Sequence, residues 1–285
     1  MIQIVLALAA LTAIAPSVAY AGDKVIPRLN SFGGSCPNCE LSGRRLRGAH
    51  FMGANFTGAS FVGSDLREAR FMASVFTEAN LMRADLSDSQ ILGANFKGAN
   101  LSDAHLRDAQ ATGSIFTQAN LTHADLGDAS AQGSTFNEAM MVETNLRDAD
   151  LTASNMSHVV ARGANFTDAT LRATVMAYGR FEHASFRDAV LDFATLTGAN
   201  FDGADFRDAS LDHAQLAGAD LARAHGLTQD QLDEACGDAR TRLPPGLFAR
   251  CSGGHIAIPR IHIAAPIPPA PPAPPRYLVQ VEPRG

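Results

Sequence analysis

A strict five-residue period runs through most of this chain and restricts its fold more than any other feature. Every fifth residue from Leu46 to Leu221 is Leu, Phe, Ile or Met, except for Ala111, Ala131 and Ala161. The residue two places before each of these is nearly always Ala or Ser. A helix needs a 3.6-residue apolar period and a strand needs a period of two, so neither element explains the pattern. The chain must therefore turn after each short unit, with one large and one small residue pointing inward.

The repeated unit also has a characteristic sequence. In segments such as GANFKGANLSDAHL, a small residue is followed by a polar residue, often Asn or Asp, and then by the large apolar residue. Residues 46–225 resemble the pentapeptide-repeat family, whose pattern is A(N/D)LXX. The resemblance implies an all-β fold, a right-handed quadrilateral parallel β-helix, with four units or twenty residues in each coil.

A period of twenty is supported independently of the family. The tetrads LRDA and FRDA begin at positions 106, 146, 186 and 206, which differ by multiples of twenty. One inward column loses its aromatic residues where the opposite column gains them, as a shared core of limited volume requires. The 36 units predict about nine coils and, at the ~4.8 Å spacing of paired strands, a rod of about 43 Å. The aromatic core residues are Phe56, Phe76, Phe96, Phe116 and Phe136 in one column, and Phe166, Phe186 and Phe206 in the other.

The two ends of the chain differ from the repeat. Residues 1–21 have a short apolar run followed by small residues at the two positions that a signal peptidase reads, Ala19 and Ala21, which is typical of a signal peptide cleaved after Ala21. We therefore expect a bacterial periplasmic or secreted protein with no stable membrane span after cleavage; a membrane-anchored form is the alternative. Residues 253–285 are rich in proline and predict a disordered tail, unless they form a spacer that carries the short partner-binding strand RYLVQV.

The exposed ends of such a rod need caps, because unpaired strand edges promote assembly. Residues 22–45 predict an N-terminal cap, and residues 226–252 predict a C-terminal cap with a short helix and a loop. Thr228 and Gln231 have the spacing of a helix capping box.

The four cysteines lie in these caps, two at each end. A rod of about 43 Å keeps the two ends beyond disulfide reach, so only pairing within each cap is possible. The sequence therefore predicts disulfides Cys36–Cys39 and Cys236–Cys251. A redox-active Cys-x-x-Cys pair at Cys36 and Cys39 is the alternative to a structural clip.

No residue pattern indicates catalysis, a cofactor or a metal ion. The nine His are scattered without ligand spacing, and we expect them to be solvated corner residues. Motifs for nucleophiles, phosphate loops and metalloproteases are missing from the sequence, and the repeat admits no insertion that would build a cleft. The sequence therefore predicts a protein that is not an enzyme.

One outward column is acidic over eight consecutive coils. At ~4.8 Å, neighbouring like charges repel by about 0.9 kcal/mol in water before salt screening, so something must offset them. Arginines directly before many of the acids predict a solvated Arg/Asp lattice, and Asp also suits a tight corner by bonding its own backbone. The alternative is a surface that recruits a cationic protein or divalent ions. The acids are Glu68, Asp88, Asp108, Asp128, Asp148, Asp168, Asp188 and Asp208; the arginines are Arg67, Arg107, Arg147, Arg187 and Arg207, preceded by Arg47.

Three functions remain open. The first is a secreted structural or protein-interaction module that binds an unknown protein or envelope component, with an oligomeric state that the sequence does not define. The second is DNA mimicry, which the resemblance implies because some members of the family imitate the DNA duplex and bind type II topoisomerases. The third is a cation-binding or redox-active envelope protein. Residues 41–225 contain 22 acidic and 15 basic residues, which argues against a nucleic-acid partner and gives only a weak acidic excess for a DNA mimic. We favour the first.

Overall fold

The computed structural model describes residues 30–32 and 34–251, so the predicted signal peptide and Pro-rich tail lie outside the described residues. Strand β1 (Asn30–Phe32) pairs in parallel with strand β2 (His50–Met52). Beyond them, single parallel bridges recur every five residues, and each bridge through the repeat joins residues twenty apart, as in Asn95 with Ile115. Four five-residue sides therefore make each coil, as the sequence predicts.

Each unit combines bridges to both neighbouring coils with a tight turn. The amide of Phe96 donates to the carbonyl of Ile115 at 2.7 Å, and the amide of Asn95 donates to the carbonyl of Ser74 at 2.9 Å. The turn follows at once, because the Ala99 amide donates to the Phe96 carbonyl at 3.0 Å and Gly98 has a φ of 66°. A type II turn needs such a positive φ at its third residue. One turn per unit produces the period of five.

Asn or Asp directly before the core residue stabilises many of these turns. The Asn95 Oδ1 atom accepts a hydrogen bond from the Lys97 amide at 3.0 Å, and the Asp85 Oδ1 atom accepts one from the Ser87 amide at 3.0 Å. These contacts are Asx turns. The sequence allowed the same kind of bond for the Asp residues of the acidic column, whereas the Asx turns here are made by the residue before the core residue. The acidic column lies three residues after this Asn or Asp, where the positive φ directs its side chains outward.

The core is a stack of inward side chains, with rings in register between coils. Phe96 is fully buried and lies parallel to Phe76 and Phe116, with ring centroids 4.8 Å and 5.1 Å away. The predicted ladders are therefore present in both columns, since Phe186 also stacks on Phe166 and Phe206. The structure adds two ring pairs that the column argument omitted, Phe51–Phe71 and Phe181–Phe201, which meet the ladders edge to face.

The bridged coil extends beyond both predicted boundaries, 46 and 225. At the N-terminal end, Ser35 already pairs with Asn55, because Cys36 and Leu41 continue the five-residue core register. At the C-terminal end, Gln215 pairs with Cys236 and Asp220 pairs with Arg242, at separations longer than twenty. The segments predicted as separate caps are therefore partly the end coils of the same stack.

Helix α1 (Gln229–Leu232) follows the last five-residue units of the repeat. Thr228 and Gln231 form the predicted capping box, and Leu232 is fully buried against the core. Gln231 Nε2 also donates to the carbonyl of Ala209 at 2.7 Å. One coil earlier, the equivalent carbonyl of Ala189 accepts the Ser210 amide. A side-chain amide thus replaces the missing backbone donor at the end of the stack.

Ala131→Leu is expected to be tolerated or stabilising. Ala111 and Ala131 are buried, stand in one column, and occupy positions where most coils have a large apolar residue. Two adjacent coils therefore lack core volume on this side, and a leucine would supply it. Thermal unfolding followed by circular dichroism measures the effect. A marked fall in melting temperature would show that the neighbouring residues already fill the space.

Asp238 in the C-terminal cap is expected to make stability depend on pH at strongly acidic values. The amide of Gly218 donates to its Oδ1 atom at 2.8 Å, and this bond, helped by Thr241 and Arg240, lowers the pKa of Asp238 to about 2. The ordinary value is 3.8, so the folded state favours the carboxylate. The stabilisation is therefore complete above the ordinary value and is lost as the pH falls through about 2.

Thermal melts of the parent and of Asp238→Ala, recorded from roughly pH 5 down to pH 1.5, measure this contribution. The parent is expected to melt higher at the upper end, and the difference should shrink at the lower end. A difference that stays constant with pH would contradict a role for the carboxylate.

Candidate functional site

The acidic column occupies the turn position with positive φ, which directs its side chains into solvent. The φ angles of these residues lie between 55° and 61°, and all of the column is exposed except Asp168, which is half-buried. Asp tolerates this conformation better than most non-glycine residues. We call this acidic column, together with the arginine positions directly before it, the Arg/Asp face. Its acids are Glu68, Asp88, Asp108, Asp128, Asp148, Asp168, Asp188 and Asp208.

Three arginines of the Arg/Asp face bridge one coil to the next. Arg47 contacts Glu68 at 2.5 Å, Arg107 contacts Asp128 at 2.5 Å, and Arg147 contacts Asp168. Arg147 also contacts Asp148, the acid beside it, at 3.1 Å. The predicted lattice therefore forms along these coils. Because both partners are largely solvated, each pair contributes little to stability.

Arg67 and Arg207 do not join this lattice. Arg67 donates to Asp65 with its Nε and Nη2 atoms at 2.8 Å and 2.7 Å, and Arg207 makes the same kind of paired contact with Asp205. These hydrogen bonds lower the pKa of both Asp65 and Asp205. The partners are the residues two places earlier, which directly precede the core residue.

Several acids consequently have no bridge from the preceding coil. The bridging arginine of the preceding coil is replaced by Ser87 in the case of Asp108 and by Gly127 in the case of Asp148. Within residues 34–251, no basic nitrogen lies within 4.0 Å of Asp88 or Asp188. Bridged and unbridged carboxylates thus share one exposed column. At several coils, this arrangement can accept hydrogen bonds from a cationic partner and form ion pairs with it.

A groove of about 750 Å³ lies at the N-terminal end of the Arg/Asp face. Arg47, Arg67 and Arg70 line it together with Glu68 and Asp88. It is open to solvent along its length, so the groove is a feature of the surface and not an enclosed pocket. The groove contains side chains of both charge signs, and its arginines make this end of the Arg/Asp face more basic than the rest.

The four cysteines form the two disulfides that the sequence predicts. Cys36 and Cys39 have Cα atoms 5.4 Å apart, and Cys236 and Cys251 have Cα atoms 4.3 Å apart. The first bond spans a turn like those of the repeat, since the Cys39 amide donates to the Cys36 carbonyl. Both bonds therefore clip the ends of the stack.

Of the seven histidines in the described residues, five are exposed, while His50 and His213 are half-buried. His213 lies 3.3 Å from Glu234, and His123 has two acidic neighbours that the sequence analysis missed. His123 lies between Asp103 at 3.4 Å and Glu143 at 3.3 Å, which stand one coil below and one coil above it. The twenty-residue spacing of these three residues was the available signal. Over residues 30–32 and 34–251, no group of His, Cys, Asp or Glu has the arrangement of a metal site. In the same part of the chain, no helix is long and apolar enough to span a membrane.

The geometry defines a solenoid of short parallel strands, with four five-residue sides per coil. The sequence matches the family described as pentapeptide repeats, in eight copies, over residues 37–71, 79–118, 119–157, 164–203 and 189–225. These segments cover more than half of the chain. The protein therefore belongs to the pentapeptide repeat family.

The chain is also similar to solved structures of pentapeptide repeat proteins. HetL, a pentapeptide repeat protein involved in heterocyst differentiation regulation from the cyanobacterium Nostoc sp. strain PCC 7120, is 28% identical with a TM-score of 0.67, over 73% of this chain and 92% of HetL. A structure of QnrB1, a plasmid-mediated fluoroquinolone resistance protein, is 16% identical with a TM-score of 0.29, over 73% of this chain and 91% of that chain. No curated protein sequence matches the chain significantly.

Proposed function

We propose that this protein is a secreted or periplasmic interaction module that presents its Arg/Asp face to a cationic protein of the cell envelope. The observation that carries the proposal is the exposed acidic column, which supplies one carboxylate in each of eight successive coils, several without a bridging arginine. A repeated charge at a fixed spacing suits a partner with matching basic groups. Such complementarity increases the association rate and favours particular partners.

The scaffold that we propose for this face is a right-handed quadrilateral β-helix of about nine coils, ended by a C-terminal capping helix. The bridges at a spacing of twenty and the similarity to HetL support it. The repeat continues from Leu46 to Leu221 without an insertion, so loops that could enclose a substrate do not interrupt it. A continuous regular surface supports binding in preference to catalysis.

Export from the cytoplasm is proposed from the sequence of residues 1–21 and from the cysteines. All four cysteines are paired in the structure, and disulfides persist mainly in oxidising compartments. The periplasm or the exterior of a bacterial cell is such a compartment. A structural role also explains the Cys36–Cys39 bond without redox cycling, because the bond closes a turn at the end of the stack.

Topoisomerase binding by DNA mimicry is less well supported. A DNA mimic needs a dense anionic surface, whereas Arg47, Arg107 and Arg147 bridge acids of the Arg/Asp face and partly neutralise it. The proposed export would also separate the chain from a cytoplasmic topoisomerase.

Affinity capture from an envelope extract of the source cell tests the proposed function. The bait is residues 22–285, and residues 22–252 serve as a matched bait without the Pro-rich tail. We expect both baits to retain the same basic protein and to release it as the salt concentration rises, because screening weakens exposed charge pairs. Capture that salt does not weaken, or capture of topoisomerase alone by a chain shown to stay in the cytoplasm, would overturn the proposal.

A further inference from the structure

The side of the coil opposite the Arg/Asp face is almost free of charge. It consists of residues 53–58 and the equivalent segments at intervals of twenty up to 213–218, and we call it the uncharged face. In nine segments it contains three charged residues, Glu78, Lys97 and Glu138, and the last four segments contain none. The nine opposite segments, from 43–48 to 203–208, each contain at least one charged residue. The rod thus has two chemically different sides.

Two large exposed apolar residues, Tyr178 and Phe193, lie at the edges of the uncharged face, and two more, Met52 and Met72, lie one residue before it. Tyr178 is 58% exposed, Phe193 54%, Met52 46% and Met72 38%. Within the described residues, these four belong to a set of only six large apolar side chains with this degree of exposure. Exposed apolar groups that gather on one uncharged side indicate a surface that another molecule covers.

The two aromatic residues also occupy a backbone conformation that disfavours them. Tyr178 and Phe193 have φ angles of 58° and 59°, at turn positions where the other coils have Gly, Ala, Glu, Gln or His. Bulky residues rarely adopt a positive φ, and exposure to solvent offers nothing in return. A contact outside the monomer would explain why aromatic residues stand at these turns.

The orientation of the rings restricts what can contact them. Tyr178 stacks on His158 of the preceding coil with ring centroids 5.3 Å apart, and Gly198 of the following coil lies against its other side. Phe193 stacks on His213 in the same way, with centroids 4.9 Å apart. Neighbouring coils therefore cover both faces of the Tyr178 ring and one face of the Phe193 ring, which leaves mainly ring edges to a partner. Edges suit packing against protein side chains better than stacking on a sugar or a base.

We propose that two copies of this protein associate through the uncharged face, with their long axes antiparallel. A second copy fits for two reasons. The chain carries a net charge of -6, so copies repel each other least through the side with the fewest charges. Two copies also share the same coil spacing, so outward residues of one can pack regularly between those of the other.

The antiparallel arrangement follows from the positions of the apolar residues. A two-fold axis across the centre of the face pairs the second segment with the eighth on the same edge, and this brings Met72 opposite Phe193. Methionine sulfur packs favourably against aromatic rings. The face measures roughly 43 Å by 13 Å, so a dimer would bury about 1,100 Å² in total, near the lower limit of specific interfaces. This pairing does not depend on what the Arg/Asp face binds, and it leaves both Arg/Asp faces exposed.

Sedimentation velocity of the purified full chain over a range of concentrations tests the association. We expect a reversible dimer, weakened at least tenfold in the double variant Tyr178→Asn, Phe193→Asn. Asparagine suits a positive φ, so the variant should keep the parent's melting temperature. As a control, Asp88→Asn, Asp108→Asn and Asp148→Asn together change the opposite face and should leave the dimer intact. A parent that is monomeric at all concentrations, or a double variant that dimerises as tightly as the parent, would overturn the proposal.

Single introduced cysteines test the arrangement. Thr135 points outward in the fifth of the nine segments, close to the proposed axis, so Thr135→Cys should form a disulfide between two copies under mild oxidation. Gln215 lies in the ninth segment, far from its equivalent in the partner, so Gln215→Cys should not. Non-reducing gel electrophoresis separates the cross-linked pairs. Cross-linking through Gln215→Cys, or none through Thr135→Cys, would overturn the antiparallel arrangement.

Discussion

Replacing Phe96 with Ala is expected to lower the free energy of unfolding by about 3–5 kcal/mol, the usual cost of removing a buried phenylalanine ring. Phe96 is fully buried in the middle of a ladder, with Phe76 and Phe116 stacked on either side. The two flanking coils are pinned by backbone bonds, so the wall cannot collapse freely into the space. Phe96→Arg places a charge in the same position, where no partner compensates for desolvation, and it should prevent folding.

Circular dichroism during heating measures both effects. Lys97→Ala is the matched control, because Lys97 is the next residue, is exposed, and shares the same unit of backbone. The control should melt like the parent. If the Phe96 variants also melted like the parent, the inward register of the whole repeat would be wrong, since every fifth residue follows the same rule.

The second large effect is expected from the Arg/Asp face. Changing Asp88, Asp108 and Asp148 together to Asn should abolish capture of the envelope partner while leaving the melting temperature nearly unchanged. These acids have no arginine bridge from the preceding coil; Asp108 and Asp148 contact only the arginine directly before them, at 3.9 Å and 3.1 Å. Asn keeps the shape of the side chain and tolerates the positive φ, so the turns should persist. Retained capture would leave the acidic column with a purely structural role.

Much of the fold could be predicted because the repeat encodes direction. A large residue at every fifth position and a small one two places earlier fix which side chains point inward, and the exchange of rings between columns fixes the coil length. The two disulfides followed from the length of the rod. The predicted boundaries of the repeat, 46 and 225, were less accurate. Cys36 and Leu41 keep the five-residue register before the first boundary, but they are only partly buried.

The charged surface was harder to predict. Arg67 can reach Asp65 or an acid in a neighbouring coil, and the sequence carries no signal for the choice between two carboxylates at similar distances. The structure also assigns the turn-stabilising role to the Asn or Asp before the core residue. The uncharged face could also be recognised from the sequence, because the predicted period of twenty already stacks its segments into one surface.

Recognition of an envelope partner by the Arg/Asp face is tested most directly by comparing two variants of equal charge. The first is the triple variant of Asp88, Asp108 and Asp148 described above. The second variant combines Glu78→Gln, Glu138→Gln and Glu143→Gln. It also removes three negative charges, but from other corners of the coil. Capture from the envelope extract, quantified by mass spectrometry, should be lost with the first variant and kept with the second. Equal capture by both, or equal loss, would show that the Arg/Asp face does not recognise the partner.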